Sequence, residues 1–150
     1  MISDELRQRR LKVIDEHFRS EVDQDFERTL ATFNGHPHYE IIATGQVYDG
    51  DEEVLAYHRS QRIAFPDQRH ENVHHHVADD AVISEFDLLG TNLGPFYGLD
   101  PTGKAFRVRT IAVFFFEGDR IVNERVYLDT ASLLTQIGRR EILAFAEPPS

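Results

Sequence analysis

Apolar residues recur at spacings of three and four from Leu11 through Ile14, Phe18, Val22, Phe26 and Leu30 to Phe33. That stripe is one face of an amphipathic helix. Ser3, followed by Asp4 and Glu5, supplies a cap and first-turn acids. Asn34-Gly35 and then His36-Pro37 end the pattern, so one long helix is predicted from Ser3 to Phe33. A short β-like run follows over residues 39–44. Asp49-Gly50-Asp51 makes a turn and cap, and residues 52–64 read as a second helix closed by Pro66-Asp67.

From Arg69 the period changes to two. Residues 70–78 and 81–91 read as strands joined at Asp79-Asp80, and residues 104–117 and 120–129 as a second pair. Gly118-Asp119 between the latter is a strong hairpin signal. Gly94-Pro95 and Leu99-Asp100-Pro101-Thr102-Gly103 mark a long, turn-rich loop between the pairs. A last helix over residues 131–137 ends at Gly138, and the tail from Glu147 to Ser150 reads as loose. The whole predicts one α+β domain over residues 1–150: a curved antiparallel sheet with helices packed on it around a small apolar pocket.

The tight turns set expected registers. Pairing Ala78 with Ala81 puts Val73, His75 and Val77 on the face of Val82, Ser84, Phe86 and Leu88, the inner face by its apolar character. Asn72, His74, His76, Glu85 and Asp87 then face outward. Pairing Glu117 with Arg120 puts Asn123, Arg125, Tyr127 and Asp129 inward, on the face of Val108, Thr110, Ala112 and Phe114. Ile111, Val113, Phe115, Val122, Val126 and Leu128 face outward. Arg107, Arg109 and Glu124 are expected to form ion pairs on that outer face. An outer face so rich in apolar residues predicts a cover, and a homodimer through the sheet is the simplest one.

Composition narrows the function. With 150 residues, 41% hydrophobic and including 11 phenylalanines, there is material for a single core. The absence of cysteine removes disulfides, thiolate metal sites and cysteine nucleophiles. A net charge of −10 opposes nucleic-acid binding. The cluster Arg7-Arg9-Arg10-Lys12 reads as a solvated helix face diluted by Asp15, Glu16 and Glu21. No apolar run reaches the ~18–20 residues of a membrane span, and the N-terminus has no signal-peptide core. A cytoplasmic location is expected.

Several short motifs then line up. They are Tyr48-Asp49-Gly50, Phe65-Pro66-Asp67, Leu89-Gly90-Thr91 with Gly94, Pro101-Thr102-Gly103, Gly118-Asp119-Arg120-Ile121, and Glu124 to Asp129 leading to Gln136-Ile137-Gly138. Their order resembles the SnoaL-like polyketide cyclases of the nuclear transport factor 2-like superfamily, over roughly residues 15–138. The resemblance implies a cone-shaped curved sheet with N-terminal helices around a pocket. It also implies an aspartate near the end of the last strand, acting as acid and base in an aldol ring closure without metal or organic cofactor. Asp129 matches that position.

Asp129 is accordingly the expected catalytic carboxylate, although an aspartate where a strand meets a helix is also a preferred N-cap. His75 is the expected assistant, against the alternative of a core histidine bonded to Ser84. Phe18, Tyr39, Tyr57, Phe86, Thr110 and Tyr127 are the expected substrate-binding walls for a small hydrophobic ligand. No native metal site is expected, since adjacent strand residues point to opposite faces and only His74 and His76 share one. Two related readings need other parts. A ketosteroid-isomerase-like enzyme needs a tyrosine-based oxyanion site. A limonene-epoxide-hydrolase-like enzyme needs an Asp-Arg-Asp set, for which Asp87 faces the wrong way. The non-enzymatic reading is a dimeric scaffold that binds a hydrophobic molecule without turning it over.

Overall fold

The computed structural model describes residues 1–144. The elements run α1 (Asp4–Val22), α2 (Phe26–Ala31), β1 (His38–Ile41), β2 (Gln46–Asp49), α3 (Asp51–Ala64), β3 (Arg69–Val77), β4 (Ala81–Thr91), β5 (Ala105–Glu117), β6 (Arg120–Leu128) and α4 (Thr130–Ile137), followed by a 3-10 turn at Arg140–Ala144. The six strands form one sheet in the order β2-β1-β6-β5-β4-β3. It is antiparallel except where β1 runs parallel to β6. The predicted architecture holds, and β2 is an addition. The expected loose tail lies outside the described residues.

The long N-terminal helix is broken. α1 ends at Val22, Gln24 takes the left-handed conformation at φ 58, and Asp25 caps α2 by accepting from the Arg28 amide. The three-four stripe continues through the break in sequence but not in space: Val22 is 44% exposed, whereas Ile14 and Phe33 are buried. A local cap and a positive φ outweigh the periodicity.

The core lies between the helices and the concave face of the sheet. Ile14 and Phe18 of α1, Val54 of α3, Val82 and Phe86 of β4, and Phe114 of β5 meet there. Each fully buried side chain of this kind contributes about 1.5–3 kcal/mol. Arg10 is also buried, contrary to the solvated face expected for its cluster. Its Nε donates to the Gly118 carbonyl at 2.8 Å and an Nη to the Asp79 carbonyl at 2.7 Å. Its guanidinium lies 5.2 Å from the Phe116 ring centroid. One side chain from α1 thus ties the turns of both hairpins.

At the opposite end, the loop between β4 and β5 is clamped by Asn92. Its side chain donates to the Gly94 carbonyl and accepts from the Thr102 amide, both at 2.9 Å. Gly94 must be glycine, because a Cβ there would stand 2.0 Å from the Ile63 carbonyl oxygen.

Both hairpins carry a bulge that the turns alone do not reveal. In the first, Glu71 pairs with Asp87 and His74 with Glu85, leaving Asn72 and Val73 opposite Phe86. Asn72 absorbs the extra residue in the left-handed region at φ 52, a conformation asparagine tolerates. His75 faces inward as expected, but Val73 is 37% exposed and His70 turns in. In the second hairpin Glu117 pairs with Arg120 as expected, yet Phe116 pairs with Ile121 and Phe115 with Asn123, so Val122 is the extra residue. The amide of Ile121 donates to Thr32 and its carbonyl accepts from Asn34. The end of α2 therefore holds the strand at this point and turns its pleat over.

Candidate active site

The bulge at Val122 decides which carboxylate reaches the pocket. Glu124, expected outside, is opposite Phe114 on the inner face and only 3% exposed. Tyr127, expected inside, is 44% exposed. Arg125 faces outward, where its Nε donates to Glu40 at 3.0 Å and its guanidinium lies over Phe115. The outer-face ion pairs also differ from expectation: Arg107 and Arg109 engage Asp87, and Arg107 also Glu71.

Asp129 sits outside the cavity. It is the N-cap of α4, its side chain accepts from the Ser132 amide at 2.9 Å, and it borders an outer groove with Tyr127 and Ile111. His75 points inward, but its Nδ1 lies 2.8 Å from the Ser84 hydroxyl and its ring stacks on Phe18. It does not border the cavity, and burial lowers its pKa. The cap reading fits Asp129, and the Ser84-bonded core reading fits His75.

The cavity has two adjoining lobes of about 70 Å³ each, sharing Tyr57, Gln61, Phe65, Leu128 and Leu133 as a common wall. The inner lobe is bordered by Phe18, Tyr39, Tyr57, Phe86 and Thr110, all expected as walls, and by Glu21, His70 and Glu124. The outer lobe is apolar and reaches Phe96 and Tyr97 of the β4–β5 loop. Among the described residues, no lysine or arginine borders either lobe. The Asp-Arg-Asp set of an epoxide hydrolase therefore has no arginine here.

A buried polar cluster forms the floor. His17 and Glu21 are one turn apart on α1, so both side chains point the same way. His17 Nε2 lies 2.8 Å from Glu124 Oε1 and 3.1 Å from Glu21 Oε1. His70 Nε2 is 3.4 Å from Glu21 Oε2, and His58 Nε2 is 4.0 Å from Glu21 Oε1. Of the ring nitrogens facing these carboxylates, His17 Nε2 and His58 Nε2 complete no hydrogen bond, nor does Glu124 Oε1. The His17 contacts are thus close ion pairs out of line with the N–H. His17 also has its Nδ1 2.9 Å from Thr32 Oγ1.

Burial and charge pull these groups apart. Desolvation alone would lower the His17 pKa, but Glu124 and Glu21 outweigh it and raise it to about 10. Burial pushes Glu21 up, yet the surrounding imidazoles, His17 first, hold it well below the usual carboxylate range. Glu124 is raised to about 7, chiefly by burial, with His17 opposing and Glu21 reinforcing. Burial lowers His58 to about 4, so it stays neutral near neutral pH. Burial also raises Tyr39 and Tyr57, keeping both phenols protonated. The floor therefore offers an ionised carboxylate, an imidazolium, a carboxyl poised near neutrality and phenol donors. Among the described residues, His17, Glu21 and Glu124 are also the one group whose ligand atoms all lie within 4.8 Å of one another, close enough for a metal ion.

Sequence reasoning missed Glu21, Glu124, His17, His58 and His70. A signal existed for two of them: His17 and Glu21 bracket Phe18 within the apolar stripe of α1, where a solvated residue has no place. His70 and Glu124 are turned in by bulges.

The chain matches the model of the SnoaL-like polyketide cyclase family over residues 15–137. No curated protein matches it significantly. Among solved structures it is similar to a candidate SnoaL-like polyketide cyclase from Jannaschia sp. CCS1, at 21% identity and TM-score 0.77, covering 87% of this chain and 92% of that one. It is similar to a candidate polyketide cyclase from Xanthomonas campestris pv. campestris at 16% identity and TM-score 0.80, covering 88% and 98%. A hypothetical protein of ketosteroid isomerase-like fold from Catenulispora acidiphila, solved with trimethylamine, matches at 17% identity and TM-score 0.73, covering 84% and 92%.

Proposed function

The chain belongs to the SnoaL-like polyketide cyclase family, and from that premise we propose an enzyme that moves a proton beside a carbonyl of a small hydrophobic ring, as a cyclase or isomerase does. Glu124 is the acid/base. The observation that carries the reading is its position: a carboxyl at the polar floor of a pocket with aromatic and aliphatic walls, 3% exposed, with no lysine or arginine among the described residues bordering the cavity. Such a group takes up and returns protons near neutral pH.

In the forward step the Glu124 carboxylate removes a proton from the carbon beside the substrate carbonyl. The C–H electrons form the enolate double bond, and the carbonyl π electrons move to oxygen. Tyr57, at the junction of the two lobes, donates its hydrogen bond to that oxygen. The α-carbon then attacks a second carbonyl, whose π electrons move to its oxygen, and that oxygen takes the proton from Glu124. Alternatively, in a conjugated enolate, the distal carbon takes that proton. In both cases the first carbonyl re-forms. His17, behind the carboxylate, is a positioning residue. Lobes of about 70 Å³ suit a single ring rather than a drug-sized ligand, whose sites enclose ~300–1,000 Å³.

The test is exchange of the α-protons of cyclohexanone in D2O, followed by proton NMR with metal-free protein. Wild type is expected to accelerate it, and Glu124→Gln to lose roughly 10²–10³-fold. Equal rates would leave a pocket that binds without turnover.

The reading includes a homodimer through the outer sheet face and a cytoplasmic location. Partly exposed Ile111, Val113 and Phe115 beside exposed Tyr127 support the dimer. Sedimentation velocity showing only monomer at micromolar concentration would remove it. No helix among the described residues is long and apolar enough to cross a membrane.

A further inference from the structure

His17 Nε2 and Glu124 Oε1 are buried and face each other at 2.8 Å without completing a hydrogen bond, and His58 Nε2, 4.0 Å from Glu21 Oε1, completes none either. Buried polar atoms almost always complete one, so a His17–Glu124 pair this close and out of line has room for an ion between its atoms. Its nature follows from the spacing. Ligands at ~2.0–2.2 Å from one ion stand roughly 3.0–3.5 Å from each other. His17 Nε2 stands 3.1 Å from Glu21 Oε1, within that range, and 2.8 Å from Glu124 Oε1, a little inside it, and all three residues offer ligand atoms within 4.8 Å of one another.

The second nitrogen of His17 gives an independent argument. Thr32 Oγ1 donates its own hydrogen to the Thr29 carbonyl at 2.6 Å, so towards His17 Nδ1 at 2.9 Å it can only accept. Nδ1 therefore carries a hydrogen, and Nε2 is the atom presented to the carboxylates. This is the outer hydrogen bond that orients a metal-bound histidine. The other oxygen of Glu21 faces His70 Nε2 at 3.4 Å, a similar outer support.

We propose that His17 Nε2, releasing its proton to solvent as the metal enters, binds one divalent transition ion together with Glu21 Oε1 and Glu124 Oε1, with its open coordination position facing the inner lobe. A buried imidazole beside carboxylates suits Zn²⁺ or Co²⁺ better than Mg²⁺, which keeps its waters. The ion takes the Glu124 oxygen that would accept the substrate proton, so it switches the site off. That consequence alone rests on the acid/base reading.

The experiment uses the full chain with His36, His38, His74 and His76 all changed to Asn, which removes the exposed histidines that could bind metal adventitiously. The protein is stripped with a chelator and titrated calorimetrically with Zn²⁺, with Mg²⁺ as comparison. One Zn²⁺ per chain is expected, together with a Co²⁺ absorption spectrum of low coordination number and no heat with Mg²⁺. Glu124→Gln should weaken Zn²⁺ at least 10-fold, and Thr32→Val, which touches no ion, by ~10–100-fold. If Glu124→Gln fails a circular-dichroism check of folding, Thr32→Val carries the test. No Zn²⁺ binding without the surface histidines, or unchanged affinity in the variants, overturns the proposal. Ketone exchange is read on metal-free protein, so its failure beside intact Zn²⁺ binding removes the acid/base reading and leaves the site.

Discussion

The two hairpins carry the same irregularity at different distances from their turns, and this difference determines what each contributes. In β3–β4 the bulge at Asn72-Val73 lies far from the turn, so the residues near the turn keep their expected faces, while Val73 is put out and the short stretch beyond it is turned over, which brings His70 inward. In β5–β6 the extra residue, Val122, comes two after Arg120, and the rest of the strand is turned over. Consequently β3 keeps His75 in the core, while β6 exchanges Asp129 and Tyr127 for Glu124 on the concave face. A turn fixes the register only as far as the first bulge.

Deleting Val122 is the strongest way to break that contrast. It would leave Phe115 opposite Asn123 and Phe114 opposite Glu124 with no extra residue between them, so Glu124 keeps its inward face while the strand loses the bend at which Thr32 and Asn34 hold Ile121. A loss of about 3 kcal/mol, from strain at the Ile121 contacts, is expected in urea unfolding. The two carboxylates of β6 and its end separate next. Glu124→Gln is expected to remove α-proton exchange, whereas Asp129→Asn should leave it intact, since asparagine also caps helices; Asp129→Ala should cost about 1 kcal/mol of stability. In the first hairpin, Asn72→Val should cost about 1–2 kcal/mol through the left-handed backbone, and Asn72→Gly much less. Exchange above background should persist in both.

The smallest effect concerns the open end of the first hairpin, where Asp67 accepts from the Thr91 amide at 2.7 Å and hydroxyl at 2.6 Å. Burial would raise its pKa, but these hydrogen bonds and Arg69 lower it on balance. A carboxyl with a depressed folded pKa stabilises the fold above its unfolded pKa, and that contribution is lost as pH falls through the folded value. Wild type minus Asp67→Asn stability should therefore shrink below about pH 4, as read from melting temperatures.

Much of the fold was legible because local signals agreed with one another. Gly118-Asp119 marked the second hairpin, Gly138 the end of α4, and Phe18, Phe86 and Thr110 the inner wall. The floor of the pocket was not legible, for physical reasons. A bulge is one extra residue held by partners distant in sequence: Ile121 is fixed by Thr32 and Asn34, which no local pattern reveals. His17 and Glu21 were hidden differently, since a charged residue on a helix is ordinarily solvated, and only the convergence of α1 with α3, β3 and β6 keeps these dry. Arg10 belongs to the same class.

The Arg10 clasp limits how this scaffold can vary or be engineered. Its bonds go to the carbonyl oxygens of Asp79 and Gly118, atoms that every residue type possesses. Side chains in the two turns can therefore be exchanged freely, provided the glycine at φ 57 is respected, but neither turn can gain or lose a residue without releasing the guanidinium into a buried site. Fusions, inserted epitopes and length variants belong at other sites on the chain.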